Sequence, residues 1–184
     1  MKPLHLTLLA ATLACAATPA LADGWRLFPI ADKDYRPDFT LSLVGGALDP
    51  EHGSQDGYVG VELAMNCGML QVPSGVVRTK LSYGRYDKDG LELRIFEVNP
   101  RWTLPLTDRL SFGVGPGIGY VRAEAGSRET DLFAWQLGAD LDYKLGRMNL
   151  GLGARWQDTV DKTIAPGRNG AENWLVQAKI GINF

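Results

Sequence analysis

The sequence predicts an all-β protein, an eight-stranded antiparallel up-and-down transmembrane β-barrel. Three observations indicate this fold class: a secretory leader, eight segments of alternating apolar and polar residues, and aromatic residues gathered near both ends of those segments. Alternation with a period of two is typical of strands with one apolar and one polar face. About ten residues per segment is also the length of a tilted strand that crosses a bilayer.

The first 22 residues have the pattern of a cleaved signal peptide. Lys2 precedes an apolar run at 4–13, and Ala20-Leu21-Ala22 is a small-x-small cleavage site. The apolar run is far below the roughly 18 residues that a spanning helix needs. We therefore expect cleavage near Ala22, a periplasmic amino-terminal segment at 23–38 and an outer-membrane barrel at 39–184.

Composition limits the chemistry of the mature chain. The full sequence, in which Lys2 belongs to the leader, has 19 Lys and Arg against 21 Asp and Glu. There is no basic excess, so no nucleic-acid partner is expected. Cys67 is the only cysteine beyond the leader, which excludes an intramolecular disulfide. Lipidation at Cys15 is an alternative to simple cleavage, but Thr12 stands where a lipobox has an aliphatic residue.

The first four strands are expected at about 39–47, 58–65, 76–85 and 91–104. Their apolar residues alternate along one face. These are Phe39, Leu41 and Leu43; then Val59, Val61, Leu63 and Met65; then Val77, Leu81 and Tyr83; then Leu91, Leu93 and Ile95. In the fourth strand the apolar phase then changes to Phe96, Val98, Trp102 and Leu104, which predicts a β-bulge. Without that bulge, Glu97 would face lipid.

The last four strands are expected at about 110–122, 132–143, 148–156 and 174–184. Their alternating apolar residues are Leu110, Phe112, Val114, Ile118 and Tyr120; then Phe133, Trp135, Leu137, Leu141 and Tyr143; then Met148, Leu150, Leu152 and Trp156; then Trp174, Val176, Ala178, Ile180, Ile182 and Phe184. Eight is an even number, as in bacterial single-chain barrels.

With both termini in the periplasm, the connections follow in order. Outer loops are expected at about 48–57, 86–90, 123–131 and 157–172. Periplasmic turns are expected at about 66–75, 105–109 and 144–147. The 66–75 turn contains Cys67 and Pro73 and is longer than an inner turn should be, without a functional explanation.

Outward aromatic residues form two groups under this topology. Those near the outer strand ends are Tyr83, Tyr120, Phe133, Trp156 and Trp174. Those near the periplasmic ends are Phe39, Trp102, Phe112, Tyr143 and Phe184. Aromatic rings favour the headgroup regions of a bilayer, so the two groups predict two belts. A soluble periplasmic barrel of lipocalin type, the alternative, gives no reason for this sorting.

The opposite face of the strands carries charges of both signs. The candidate lumen charge network consists of Glu62, Arg78, Lys80, Glu92, Arg94, Glu97, Arg101, Asp140, Asp142, Arg155 and Lys179. An eight-stranded barrel is only wide enough inside for side chains. We therefore expect these groups to pair and plug the lumen; an ion-conducting lumen is the alternative.

One strand carries glycines along its whole inward face. Gly113, Gly115, Gly117 and Gly119 alternate in 110–122 and should make room for long side chains from the opposite wall. Pro116 lacks an N–H and therefore marks a bulge or an unpaired position. Strict alternation is not the G-x-G-x-x-G spacing of a dinucleotide site, and no helix follows.

No catalytic, cofactor-binding or metal-binding residues are expected. His52 is the only histidine beyond the leader and lies in an outer loop near Glu51, Ser54 and Asp56. Three polar residues in a surface loop do not establish a Ser–His–acid arrangement. One histidine and one cysteine far apart give no metal-ligand cluster.

From about residue 39 to 184 the chain resembles the small eight-stranded outer-membrane barrels of the OmpA/OmpX/opacity type. The resemblance rests on strand count, alternation, belts and the terminal Phe184. It implies a monomer in the outer membrane of the Gram-negative envelope, in contact with lipid and lipopolysaccharide. It also implies that Phe184 is the signal read by the barrel-assembly machinery.

Members of this family serve as adhesins, envelope-stabilising proteins, narrow channels or enzymes, so the fold does not settle the role. We expect a non-enzymatic protein with a structural or surface-interaction role. The alternatives are a narrow channel for small solutes and a lipid A modifying enzyme.

Overall fold

The computed structural model describes residues 24–184, so the predicted leader and its cleavage site lie outside the described residues. Within 24–184, no helix has the length and hydropathy of a membrane span.

Eight long strands and four short ones make up this part of the chain. In order they are β1 (Arg26–Leu27), β2 (Thr40–Pro50), β3 (Asp56–Asn66), β4 (Leu70–Gln71), β5 (Val76–Lys88), β6 (Leu91–Pro105), β7 (Leu110–Ala125), β8 (Arg128–Leu145), β9 (Met148–Thr159), β10 (Thr163–Ala165), β11 (Arg168–Asn169) and β12 (Asn173–Asn183). A single 3-10 turn at Pro29–Ala31 follows β1.

The eight long strands close into an antiparallel barrel in the order β12-β2-β3-β5-β6-β7-β8-β9. Each neighbours the next long strand along the chain, and β12 closes the barrel on β2 from Asn173 opposite Pro50 to Asn183 opposite Thr40. Closure removes both sheet edges, so each long strand has a hydrogen-bonded neighbour on both sides. The predicted all-β, eight-stranded up-and-down architecture is therefore confirmed.

Several strands extend further at their outer ends than the alternation predicted. β7 and β8 run on until Ala125 pairs with Arg128, which reduces the expected 123–131 loop to a tight turn. The outward residues of these extensions are charged, among them Arg122, Glu124 and Asp131. The sequence pattern predicts a loop there because it has no outward apolar residues.

The β-bulge predicted for the fourth strand is wrong. β6 keeps one register with β5 from Lys88 opposite Leu91 to Val76 opposite Thr103. Leu91, Leu93 and Ile95 are buried inside the barrel, in the same phase as Glu97, and Phe96 faces outward. The apparent change of phase arises because the inward face itself changes from apolar to charged along β6.

Large apolar side chains cover the outside of the barrel. Those exposed on the eight long strands include Leu43, Val61, Phe96, Ile118, Leu137, Leu152, Val176 and Ile182. At one end of the barrel, Phe39 stacks on Phe184 at a centroid distance of 5.8 Å. Trp135 meets Trp156 edge to face at 4.7 Å.

The long 66–75 turn pairs with the amino-terminal segment. β1 and β4 form a small two-stranded sheet, with Arg26 opposite Gln71 and Leu27 opposite Leu70. Tyr35 donates its hydroxyl to Asn66 O at 2.6 Å. The turn is therefore half of a small structure outside the barrel wall.

Candidate functional site: the barrel lumen

The inward face of the barrel half that lies nearest Phe39 and Phe184 holds a cluster of three cations and three anions. Lys179 Nζ lies 2.7 Å from Asp140 Oδ1 and 3.1 Å from Glu62 Oε1. Lys80 Nζ lies 3.1 Å from both Asp140 and Asp142. Arg101 Nε donates to Asp140 Oδ2 at 3.2 Å. Five of these six residues are buried and Asp142 is nearly so, so their charges are compensated by one another rather than by bulk water.

A second polar cluster lies further out, around Arg155 and Glu97, which form an ion pair. Ser82 donates to Glu97 Oε2 at 2.8 Å and Asn99 donates to it at 3.1 Å. Arg155 also donates to Gln157 Oε1 at 2.7 Å. This cluster links inward positions of β5, β6 and β9 across the barrel.

The outer third of the lumen is apolar. Its buried members are Val44, Leu48, Tyr58, Tyr86, Leu91, Leu93, Ile95, Val121, Ala123, Leu132, Ala134, Ile164, Ala171 and Leu175. Ile164 and Ala171 come from the outer loop that carries β10 and β11, so this loop contributes to the interior core. The alternation of β6 does not predict this layer, because the apolar residues of that strand are expected from it to face lipid.

The inward glycines of β7 and β9 provide space for these side chains. A Cβ on Gly117 would come within 3.0 Å of Gln136 Cγ, and one on Gly153 within 2.8 Å of Asp140 Oδ1. The predicted purpose of the glycines is right, but the long side chains come largely from adjacent strands rather than from the opposite wall.

Two prolines interrupt the ladder between β6 and β7. The register places Pro100 opposite Pro116, and pairing is absent from Asn99 to Arg101 while it continues on both sides. Arg101 Nη1 donates instead to the carbonyls of Gly115 and Pro116, at 2.7 and 2.9 Å. The unpaired position predicted at Pro116 is therefore present, and a lumen guanidinium satisfies its carbonyl.

Nine of the eleven predicted lumen residues lie inside the barrel. Arg78 lies beside the start of β2, where it donates to Thr40 Oγ1 at 3.0 Å and to Asp38 O at 2.9 Å. It lines a small cavity of about 20 Å³ that also touches Glu62 and Lys80. That volume is close to the minimum needed for one water molecule.

Glu92 and Arg94 lie elsewhere and are a correction to the predicted set. Both are on the outer face of β6, where Arg94 Nε donates to Glu92 Oε1 at 2.7 Å and Arg94 Nη1 lies 3.3 Å from Glu124. Arg85 completes this group at 3.0 Å from Glu92. The missing bulge is the physical reason, because β6 keeps even-numbered residues outside along its whole length.

The single histidine of the described part lies at the outer rim. His52 Nε2 is 3.1 Å from Asn169 O and 3.7 Å from a Glu51 carboxylate oxygen. Asp56 pairs instead with Lys88 at 2.9 Å. Over residues 24–184 there is also no group of three or more His, Cys, Asp or Glu arranged to hold a metal ion.

Solved structures share this architecture. Neisserial surface protein A from Neisseria has 10% identity and a TM-score of 0.57, with 79% of this chain and 96% of that one covered. The amino-terminal barrel of OprF from Pseudomonas aeruginosa has 15% identity and a TM-score of 0.53, with 81% and 100% covered. Ail from Yersinia pestis has 11% identity and a TM-score of 0.52, with 80% and 97% covered.

No protein-family model matches the chain, and no curated protein matches it either. The three structures are eight-stranded outer-membrane barrels, and the likeness at these identities concerns the backbone. The chain therefore has the fold of the small eight-stranded outer-membrane β-barrels.

Proposed function

We propose that the protein resides in the bacterial outer membrane as a monomeric, non-enzymatic barrel whose lumen is closed by its own side chains. The observation that carries this proposal is the inverted distribution of polarity. Apolar side chains are exposed around the outside, whereas lumen charges such as Lys179 and Asp140 are buried and paired. A monomeric protein in water rarely exposes so large an apolar surface, whereas a membrane barrel requires it.

Closure of the lumen is supported by three consecutive layers. The six-charge cluster fills the periplasmic half, the Arg155–Glu97 cluster follows, and the apolar layer completes the outer third. Conduction would require water and ions to displace paired groups in the first two layers. It would also require them to pass side chains such as Leu93 and Leu132, which have no exposed surface.

Planar-bilayer recordings of the refolded protein test the closed lumen. We expect no resolved single-channel steps at voltages where an open porin, recorded in the same bilayers, conducts. Reproducible steps from the wild-type chain would overturn the closed lumen and favour the narrow channel.

Comparison of lipid A by mass spectrometry, with and without the protein, tests the non-enzymatic assignment, for which unchanged lipid A is expected.

The location has an independent test. The protein should remain with the membrane after salt and alkaline washing, require detergent for extraction, and show a heat-dependent mobility shift on a gel. Recovery in the soluble fraction without such a shift would contradict the proposed location. Light scattering in detergent would then measure the mass of the proposed monomer.

The physiological role that we propose is structural or surface-interacting, with membrane lipid and lipopolysaccharide as neighbours. The β10–β11 hairpin exposes residues 166–169 at the outer end. Two of the similar structures are described as a surface protein and an attachment invasion locus protein. A chain with residues 165–168 replaced by a Gly-Ser turn would separate the two roles, because it keeps Ile164 in the apolar layer. If this variant restores detergent resistance to a deletion strain, the role is structural. If it fails to restore resistance, the role depends on the loop.

Assembly by the barrel-assembly machinery belongs to the same proposal. The phenyl ring of Phe184 packs on Phe39 beside the β12–β2 seam, and Phe184 N donates to Phe39 O at 2.9 Å. We expect Phe184→Ala to reduce the amount of assembled protein in cells. Unchanged assembly would show that Phe184 is not the assembly signal.

A further inference from the structure

An unusual apolar surface lies outside the barrel on its periplasmic side. It belongs to the periplasmic foot, which we define as residues 24–32 together with 66–75. Five large apolar side chains of the foot are 39 to 67% exposed, namely Trp25, Leu27, Phe28, Ile30 and Met69. A cluster of this kind in water is unfavourable and marks a surface that contacts something apolar.

Backbone hydrogen bonds join the two halves of the foot to each other and tie the foot to the barrel. Phe28 N donates to Met69 O at 2.8 Å, and Ile30 N donates to Gly68 O at 3.1 Å. Cys67 N donates to Val77 O on β5 at 2.7 Å. The apolar side chains are therefore presented by a pinned structure rather than by a loose chain.

One backbone position in the foot is strained. Phe28 has φ 53° and ψ 51°, in the left-handed region that bulky residues avoid. This conformation directs the chain from β1 into the 3-10 turn, and the Phe28 side chain remains exposed. Strain at an exposed aromatic residue is a feature of functional surfaces.

The identity of the partner follows from continuity with the barrel's outer face. A groove of about 460 Å³ is lined by Trp25, Leu70, Val72, Pro73, Ser74 and Trp102. Trp102 is an outward residue of β6 in the periplasmic belt, and its Nε1 donates to Ser74 O at 2.8 Å. The apolar surface of the foot thus joins the lipid-facing surface, with a groove between them that no charged side chain lines.

We propose that the periplasmic foot lies at the headgroup–acyl boundary of the periplasmic leaflet and that its groove takes an acyl chain of a phospholipid. This inference rests on the proposed membrane location. Aromatic and aliphatic side chains of the foot would then be buried in the leaflet, in the manner of interfacial membrane anchors. The length of the 66–75 turn follows, because it supplies half of this anchor.

Spin labels on the full mature chain, refolded into phosphatidylethanolamine–phosphatidylglycerol vesicles, test the proposal. The labels would be placed at Leu27→Cys and Met69→Cys in a Cys67→Ala background. Leu150→Cys on the outward face of β9 serves as the lipid reference. Asp34→Cys, exposed in the same amino-terminal segment, serves as the water reference.

We expect the ratio of oxygen to nickel-complex collisions at 27 and 69 to be several-fold above the ratio at 34 and to approach that at 150. Water-like ratios at 27 and 69 with a lipid-like ratio at 150 would contradict the proposed position of the foot in the leaflet, while the barrel would still lie in the membrane. That result would make a periplasmic protein the occupant of the apolar surface. Water-like ratios at all positions would instead contradict the membrane location itself.

Discussion

At the scale of single residues, Asp140 is the centre of the lumen. Its two carboxylate oxygens contact Lys179, Lys80 and Arg101, which belong to three different strands. Burying a carboxylate is costly, and here three cations offset that cost. The carboxylate therefore ties β8 to β5, β6 and β12 through the interior, in addition to the backbone ladders.

Asp140→Asn should destabilise the barrel strongly, because it leaves three cations facing two anions in a buried cluster. We expect the free energy of unfolding in urea, measured in lipid vesicles, to fall by about 3–5 kcal/mol. Asp131→Asn, which removes a carboxylate paired with Arg122 at the exposed outer rim, is the matched control and should change it by less than about 1 kcal/mol. Equal stability of the two variants would show that the cluster contributes little.

A second residue-scale prediction concerns pH at the outer rim. Asp56 lies at the outer end of β3, beyond the aromatic belt, and hydrogen bonds from Lys88 and from Gly57 N hold the pKa of its carboxyl below the ordinary value. A lowered pKa means that this pairing stabilises the fold above the ordinary carboxyl pKa and is lost as pH falls through the lowered one. NMR titration should show the lowered pKa, and Lys88→Met should raise it; identical titrations would contradict the pairing.

At the scale of elements, the glycine face of β7 is matched to the side chains beside it. Gly117 has no room for a Cβ next to Asn99 and Gln136, whereas Gly45 on the outer face of β2 has nothing within 4 Å. We expect Gly117→Ala to lower the free energy of unfolding by about 1–3 kcal/mol, because it overpacks the lumen. Gly45→Ala is the control and should be nearly neutral. Similar values for the two would argue against a filled interior.

The same elements show what the sequence can and cannot predict. All eight strands follow from alternation, because each inward or outward position has a consistent polarity over the membrane-crossing part. Beyond the belts the rule reverses, as in β6, where Leu93 and Ile95 face inward and Arg94 faces outward. Beyond the belts, outward charges are stabilised by water and inward apolar side chains are stabilised by burial. If lipid is assumed along the whole of β6, its pattern predicts a bulge, and that bulge is absent.

At the scale of the whole molecule, apolar groups outside and charges inside are the distribution expected when lipid surrounds the middle of the barrel's outward face. Leu137 lies between Phe133 and Tyr143 on β8 and is exposed outward. Leu137→Arg should lower the free energy of unfolding in bilayers by about 2–4 kcal/mol, because arginine is costly near the midplane. Val160→Arg in the outer loop should cost about 0–1 kcal/mol. Equal effects would mean that the outer face does not meet lipid.

The three-layer filling of the lumen was predictable only in part. Charged residues such as Glu62 and Lys80 were placed by strand parity, but parity does not state which charges meet. Those contacts depend on the tilt of the strands and on the side-chain geometry inside the barrel. Ile164 could not be assigned to the interior at all, because it lies in a polar loop whose folding over the outer opening leaves no periodic signal.

The closing seam between β12 and β2 has a consequence for how the chain reaches this state. Thr40 and Asn183, hydrogen-bonded at 2.7 Å, are separated by 143 positions. Every other ladder of the barrel joins strands that are consecutive among the eight, so hairpins can form early while this one pairing must wait. Contacts between such distant positions slow folding, and until they form, β2 presents a bare row of amide and carbonyl groups to other chains. The chain is therefore most prone to aggregate in the period before β12 docks on β2, and closure of the barrel ends that period.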